Sequence, residues 1–218
     1  LNVSKNSFTV GGLAHVIRNL SYSSTIEEIN ISELKSVKGV GNDTHELVVA
    51  FKKLFKFTIS LKKINLWQTP VGTYIREIAT KELIHNSSLE TLDMVSCGLT
   101  NMKFIIIGFM SKENRVRELI LDNNSGITFS SIISACDYFD GKDLPAAKKP
   151  HHTAVEILKL NSISTFSGNL STPKNKGYFV KFLHQIFANI SELELSHCKL
   201  DANSAEGLAE YLKLNPTL

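Results

Sequence analysis

A short pattern of apolar positions recurs along this chain of 218 residues. In each copy, two apolar residues are separated by two others, and a third apolar residue follows after one more position. The last two apolar residues therefore alternate with polar ones, which is the period of a short, half-buried β-strand. Six copies begin at Ile26, Leu61, Leu89, Val116, Val155 and Ile190. Their starts lie 27 to 39 residues apart.

Between two copies the apolar residues change to helical spacing, as Leu13, Ile17 and Leu20 show. The same spacing returns at residues 205–212. One strand and one helix per unit of about 28 residues is the pattern of a leucine-rich-repeat solenoid. We therefore expect an α/β fold, a right-handed horseshoe with parallel strands on its concave face and helices on its convex face.

The pattern covers residues 1–218 as a single array of about seven units, because each unit can bury its apolar stripe only against its neighbours. Leu1 lies within a strand pattern and Leu218 opens a further one, so we expect a segment of a longer protein. Three units are long, with extra residues around 35–43, 140–153 and 164–176. Insertions in repeats are often functional, and tolerated surface length is the alternative.

Composition excludes several other classes of protein. The chain is 43% hydrophobic and 21% charged, which is typical of a globular protein. The longest apolar run, Phe104–Met110, is far shorter than the ~20 residues of a membrane span. A net charge of +3 is too small to indicate nucleic acid. The three cysteines do not suffice for the cysteine-paired caps of extracellular arrays, so we predict reduced thiols and a cytoplasmic protein.

The position after each strand is where repeats of this class place an asparagine that binds neighbouring backbone. Here it holds Asn6, Leu34, Thr69, Cys97, Asn124, Ile163 and Cys198. Threonine and cysteine can still donate a weak hydrogen bond, whereas leucine and isoleucine cannot. We therefore expect Cys97 and Cys198 to be buried structural thiols and the twist to be uneven at the second and sixth units.

Two segments, residues 60–100 and 193–218, resemble the ribonuclease-inhibitor-type repeats of cytosolic proteins. Both contain Asn-x-(Ser/Thr)-Leu ahead of a strand, at 86–89 and 215–218. Within that class the layout most resembles the repeat region of the CARMIL proteins, which link actin capping protein and myosin-I. The shared feature is a long unit with a Phe-Lys-x-x-Phe helix, here residues 51–55, followed by a standard and then an extended unit. The resemblance implies a slice of an actin regulator. That family's capping-protein motif lies beyond its repeats, so no binding residue is implied.

The sequence contains none of the GxGxxG, GxxxxGK[ST], HExxH or GxSxG motifs. Ser32 and Lys35 match a Ser-Lys pair by spacing alone. The adjacent His151 and His152 lack the nearby carboxylates or cysteines that a four-ligand metal site needs. We therefore predict a protein that is not an enzyme and that uses no cofactor or metal.

The repeat geometry identifies the side chains that the strands expose. The candidate protein-binding residues are Lys63, Asn65, Trp67, Asp93, Val95, Glu118, Ile120, Asp122, Glu192 and Glu194. Over all six strands this exposed face holds eighteen positions, Ser32 and Asn161 among them, and carries six carboxylates against two lysines, a formal charge of −4 in a chain of +3. Such segregation steers partners of opposite sign, here a protein with a basic surface. Compositional scatter is the alternative.

Trp67 is the only tryptophan. Its parity places it outside the core among polar residues, where a large aromatic side chain gains little from folding. Tryptophan is favoured in binding hot spots, so we expect binding to centre there. The alternative is that the ring lies flat over neighbouring strands. Val95, Ile120 and Ile157 extend an apolar strip beside it.

A basic segment, with Lys52, Lys53 and Lys56 among the aromatic residues of 51–57, is the second candidate surface. A basic amphipathic helix can make weak contact with an anionic membrane. The alternative is a core helix with a solvated basic face. For the chain as a whole we predict a protein-interaction module or scaffold. The alternative is the ligand-sensing or inhibitory repeat domain of a cytosolic receptor or ribonuclease-inhibitor-like protein.

Overall fold

The computed structural model describes residues 1–34, 42–69, 82–110, 113–141, 152–216 and 218. Several positions singled out in the sequence lie outside the described residues. They are Lys35 of the Ser-Lys pair, His151, and most of the extra residues predicted at 35–43 and 140–153.

Short strands alternate with helices along the described parts of the chain. The strands are β1 (Glu28–Asn30), β2 (Lys63–Asn65), β3 (Thr91–Asp93), β4 (Glu118–Ile120), β5 (Ile157–Lys159) and β6 (Glu192–Glu194). The α-helices are α1 (Val10–Leu20), α2 (Asn42–Phe57), α3 (Met102–Phe109), α4 (Phe129–Phe139), α5 (Pro173–Lys181) and α6 (Ala202–Leu214). Short 3-10 helices form at Leu83–His85 and Ser164–Phe166, and a π-helical turn, Phe182–Ile186, continues α5.

The six strands form one parallel sheet whose order is the order of the sequence. Their registers align the middle apolar residue of every copy of the pattern, Ile29, Ile64, Leu92, Leu119, Leu158 and Leu193. Asn2 adds a single parallel bridge to Asn30 at the β1 edge. An α/β architecture with one strand from each copy is therefore confirmed.

Polar side chains fix where the helices begin. Thr9, Asn101, Thr128, Thr172 and Asp201 each accept a hydrogen bond from a backbone N–H in the first turn of the following helix. Such caps satisfy donors that have no partner within the helix. None of the described helices combines the length and apolarity that a bilayer crossing requires.

The core lies between the sheet and the helices. The inward residues of strands β1 to β5 are buried together with the apolar faces of α1 to α4. In the long sixth unit, aromatic side chains fill the space, with Phe166 edge-on to Phe179 at 4.9 Å between ring centroids. Leu193 on β6 and Leu195 just after it are only partly buried.

A ladder of side-chain hydrogen bonds joins neighbouring units. At four of the positions after a strand, the side chain donates a hydrogen bond to a backbone carbonyl of the preceding unit. The acceptor is in each case the carbonyl of the last apolar residue in that unit's pattern. The bonds are Thr69 to Ile31 (2.9 Å), Cys97 to Leu66 (3.0 Å), Asn124 to Met94 (2.9 Å) and Cys198 to Leu160 (3.0 Å). The prediction that Cys97 and Cys198 are buried structural thiols is confirmed. Burial raises the pKa of the Cys97 thiol to about 12.

Candidate functional site

The outward side of the parallel sheet is the candidate site, and we call it the sheet face. Alternate residues of a strand point to the same side. Each strand therefore contributes its first and third residues, and the residue two positions beyond the third lies on the same side. The first row is Glu28, Lys63, Thr91, Glu118, Ile157 and Glu192. The second row is Asn30, Asn65, Asp93, Ile120, Lys159 and Glu194.

A third row lies just beyond the strand ends and is held in line by backbone hydrogen bonds between neighbouring units. It consists of Ser32, Trp67, Val95, Asp122, Asn161 and Ser196. The structure thus brings all ten predicted protein-binding residues onto one continuous face. Lys63 and Glu192 are exposed, and the other eight are partly buried.

Asp93 lies near the middle of the sheet face, and its pKa is raised above the ordinary value of an aspartate. Burial raises the pKa of Asp93, and the negative charges of Asp122 and Glu118 raise it further. A hydrogen bond from the Val95 N–H and the charge of Lys63 act in the opposite direction. The net result is a carboxylate that lacks sufficient positive charge around it. A cation supplied from outside would stabilise its ionised form.

At the β5–β6 end, the acidic residues are largely compensated. Lys159 Nζ lies 2.7 Å from Glu194 Oε1 and 3.8 Å from Glu192 Oε1. The hydrogen bond from Lys159 is the main cause of the lowered pKa of Glu194, and a second bond from Asn161 contributes. Apart from Glu28 on β1, the carboxylates of the sheet face that form no ion pair within the described residues lie on β3 and β4 or just beyond, at Asp93, Glu118 and Asp122.

Asn161 links Asp122 to Glu194 across the third row. Its backbone N–H and side-chain amide donate to the two oxygens of Asp122, at 2.7 and 3.1 Å, and the amide also donates to Glu194 at 2.7 Å. Its own Oδ1 accepts the N–H of Ser196 at 2.7 Å. Sequence reasoning placed Asn161 on this face but gave it no role. The signal available was its register beside two acidic positions.

Trp67 is half-buried on the third row between Ser32 and Val95. Its backbone N–H donates to Asn65 Oδ1 at 2.9 Å, which fixes the chain where the strand ends. Ser32 was predicted to be exposed, but only 3% of its surface is accessible. Trp67 is the neighbour of Ser32 in the third row. The alternation of sides along a strand predicts which way a side chain points, but it does not predict how much a large residue on the next strand covers it. Trp67 is the large aromatic residue of the sheet face. It lies one strand from Asp93 and two strands from Glu118.

The basic segment of α2 behaves differently from a free amphipathic helix. Phe51, Leu54 and Phe55 are buried at 0 to 3% exposure, so the aromatic face of this helix packs into the core. Lys52 and Lys53 are partly buried and Lys56 is exposed. Phe57, which the sequence groups with the other aromatic residues, is 52% exposed because it is the last residue of the helix. The aromatic residues that a lipid-bound helix would expose are therefore used in the core, apart from Phe57 at the end of the helix.

No group of three or more metal-ligand side chains comes together within the described ranges. His152 is exposed, and its ring lies 5.6 Å from that of Phe139, centroid to centroid. The cysteines Cys97, Cys136 and Cys198 are all buried, and none of them is in a disulfide. Burial raises the pKa of both Cys97 and Cys198, which leaves these thiols protonated at neutral pH.

The side chains of the sheet face therefore offer a surface for contact: carboxylates, amides and one large aromatic ring on a rigid sheet. Comparison with protein-family models found none that matches this chain, and comparison with curated proteins found no match either.

Proposed function

We propose that this chain is a non-catalytic interaction module that binds a basic segment of a partner protein on its sheet face. The observation that carries the proposal is the placement of Trp67 on the same face as the carboxylates of β3 and β4, one strand from Asp93 and two strands from Glu118. A tryptophan supplies a large contact area together with one hydrogen-bond donor. Carboxylates around it select a positively charged partner and accelerate its association.

The state of Asp93 supports a cationic ligand in particular. Its carboxyl is partly desolvated and lies near Asp122 and Glu118, so its ionised form is disfavoured in the unbound protein. A lysine or arginine of the partner that reaches this position relieves both effects. Lys63 is the one basic side chain of the face near Asp93, and it lowers the pKa too little to cancel the burial. A positive charge from the partner would stabilise the ionised Asp93 carboxylate, so the binding energy should depend on the charge of the partner.

The proposed fold class is a ribonuclease-inhibitor-like leucine-rich-repeat array in a right-handed horseshoe. Three observations support it: one strand per copy of the apolar pattern, parallel registers that keep every copy in phase, and the ladder from Thr69, Cys97, Asn124 and Cys198. In such an array the sheet face is concave. A concave acidic surface suits a rounded or extended basic partner.

A narrower proposal follows from the resemblance to the CARMIL repeats, namely a cytoplasmic scaffold that regulates actin filament assembly. The helix that carries the Phe-Lys-x-x-Phe residues, α2, supports it, since both phenylalanines pack into the core as a long repeat unit requires. A fluorescent fusion of the chain should concentrate in actin-rich regions of the cytoplasm. Accumulation in a secretory compartment or the nucleus would contradict this narrower proposal.

Selection from a random peptide library on the immobilised protein tests the main proposal. Peptides that bind should be rich in lysine and arginine and contain at least one apolar residue. Trp67→Ala should weaken a selected peptide by about 30-fold, which corresponds to roughly 2 kcal/mol for a hot-spot residue. Tyr22→Ala, which removes an exposed aromatic residue outside the sheet face, is the matched control and should not affect binding. Selection of acidic peptides, or equal loss in both variants, would refute the proposal.

A further inference from the structure

The loop between α2 and β2 reverses the usual distribution of apolar and polar side chains. Ile59 is 79% exposed and Phe57 is 52% exposed, although both are large and apolar. Thr58, which separates them, is only 4% exposed, and Ser60 is partly buried. The loop therefore presents its apolar residues to solvent and turns its polar residues toward the protein.

Hydrogen bonds to units on both sides hold the loop in this arrangement. Ser60 Oγ donates to the Ile26 carbonyl of the preceding unit at 3.0 Å. Ser88 Oγ, in the following unit, donates to the Thr58 carbonyl at 3.2 Å. The Thr58 hydroxyl donates to the Leu54 carbonyl in the last turn of α2. Phe57 and Ile59 are thus displayed by a backbone that is fixed on both sides, and they cannot turn inward without breaking these bonds.

Two lysines of α2 supply positive charge on the helix side of the exposed apolar residues. Lys53 and Lys56 are three residues apart on α2 and therefore lie on one side of the helix. Lys56 Nζ lies 5.6 Å from the centroid of the Phe57 ring. Lys62, after the loop, pairs with Glu27 at 3.2 Å, so its charge is partly neutralised. The net charge beside the apolar loop is positive.

The same edge continues into the preceding unit. Tyr22 is 72% exposed and stands four residues before the apolar pattern at Ile26, as Phe57 stands four residues before Leu61. Because Ser60 is bonded to Ile26, the two turns are neighbours in the stack. Tyr22, Phe57 and Ile59, with Lys53 and Lys56, are called the loop edge below.

We propose that the loop edge docks on an anionic lipid bilayer. Phe57 and Ile59 enter the boundary between head groups and acyl chains, and Tyr22 lies at head-group level, where its hydroxyl stays hydrated. The ammonium groups of Lys53 and Lys56 lie against the negative surface of the leaflet. A bilayer offers acyl chains below a layer of negative charge, which matches a protruding apolar loop flanked by lysines. The proposal is independent of the sheet face.

Sedimentation with phosphatidylcholine vesicles, with and without phosphatidylserine, tests the proposal at low ionic strength. The protein should sediment only with the anionic vesicles. The double variant Phe57→Ser, Ile59→Ser should reduce the partition coefficient by roughly tenfold or more, since two apolar side chains no longer enter the bilayer. The double variant Lys53→Gln, Lys56→Gln should reduce it by roughly tenfold and remove most of its salt dependence.

Two control variants change the same kinds of residue elsewhere. Leu212→Ser with Leu214→Ser removes two exposed leucines of α6, and Lys199→Gln with Lys213→Gln removes two exposed lysines. Both controls should sediment as wild type does. Equal sedimentation with neutral and anionic vesicles would overturn the proposal. An equal loss in the control variants would also overturn it. So would a result in which the protein binds a polyglutamate peptide but does not sediment with vesicles, since the lysines would then bind an acidic protein.

A depth measurement places the loop directly. Trp67 is the sole tryptophan, so Ile59→Trp combined with Trp67→Phe gives a single reporter in the loop. Brominated lipids in anionic vesicles should quench this reporter and leave Trp67 of the wild-type protein unquenched. Quenching of Trp67 with no quenching at position 59 would show that another surface meets the bilayer.

Discussion

Asn124 forms the strongest link in the ladder between units, and its removal has a cost that the structure allows us to work out. The residue is 1% exposed. Its amide donates to the Met94 carbonyl at 2.9 Å and to the Leu121 carbonyl at 2.7 Å, and its Oδ1 accepts the Leu99 N–H at 3.0 Å. Met94 and Leu99 belong to the preceding unit, so one side chain satisfies two buried backbone groups there.

Asn124→Ala leaves the Met94 and Leu121 carbonyls and the Leu99 N–H without these bonds. At about 2 kcal/mol for each buried group left unsatisfied, the free energy of unfolding should fall by about 6 kcal/mol. Asn124→Cys separates the contributions, because Cys97 and Cys198 make the equivalent carbonyl bond at 3.0 Å. The cysteine keeps the bond to Met94 and loses those to Leu99 and Leu121, so it should cost about 4 kcal/mol.

Urea unfolding followed by circular dichroism measures both variants. Asn6→Ala is the matched control, since Asn6 occupies the same position of its unit but bonds only to Val3 and Ser4 in an exposed segment. That control should cost less than about 1 kcal/mol. If Asn124→Ala is as stable as the control, or if alanine and cysteine cost the same, the ladder does not stabilise the stack as we argue.

Three further predictions rest on single groups. Burial raises the pKa of Asp93, so the stability that this carboxyl contributes is complete below its unfolded value of 3.8 and is lost as the pH rises through the folded value. Asp93→Asn, which keeps an acceptor for the Val95 N–H, should gain stability over wild type between acid and neutral pH in urea titrations; a constant difference would contradict this. Tyr211 is fully buried, and its hydroxyl has no hydrogen-bond partner in the part of the chain described, so Tyr211→Phe should raise the free energy of unfolding by about 1 kcal/mol; a lower melting temperature would contradict this. A disulfide reagent should label Cys97, Cys136 and Cys198 far more slowly in native than in denatured protein, because all three are buried. Rapid labelling of the native protein would refute their burial.

The strands and the sheet face were predictable because both follow from a period of two. Once each copy of the pattern forms a strand and the strands align in parallel, the sides of residues such as Asp93 and Ile120 are determined. The ladder was predictable in part. The positions of Cys97 and Cys198 identified their hydrogen-bonding role, but the shared acceptor carbonyl depends on the stacking of complete units.

Other features depend on pairings that a linear pattern does not contain. The burial of Ser32 reflects a tryptophan 35 residues away in the sequence. The contact of Lys159 with Glu194 shifts the effective negative charge to β3 and β4, whereas counting charges spread it over the whole face. The exposure of Phe57 and Ile59 was not predicted, because the pattern groups Phe57 with the other aromatic residues of 51–57 and does not distinguish the end of the helix from its middle. The hydrogen bonds of Thr58 and Ser60 to neighbouring units decide that geometry.

The most direct test of the central claim follows the one tryptophan of the chain during binding of a basic peptide. A lysine-rich peptide chosen by selection is titrated into the wild-type protein, and the Trp67 emission and its single indole N–H resonance are recorded as calorimetry measures the affinity. Burial of the indole against the partner should shift both signals with the same midpoint as the heat, and Asp93→Asn with Glu118→Gln should weaken the affinity. The matched control, Glu46→Gln with Glu210→Gln on α2 and α6, should not. Tight binding of the peptide with no change at Trp67 would place the contact elsewhere and contradict the proposed role of the sheet face.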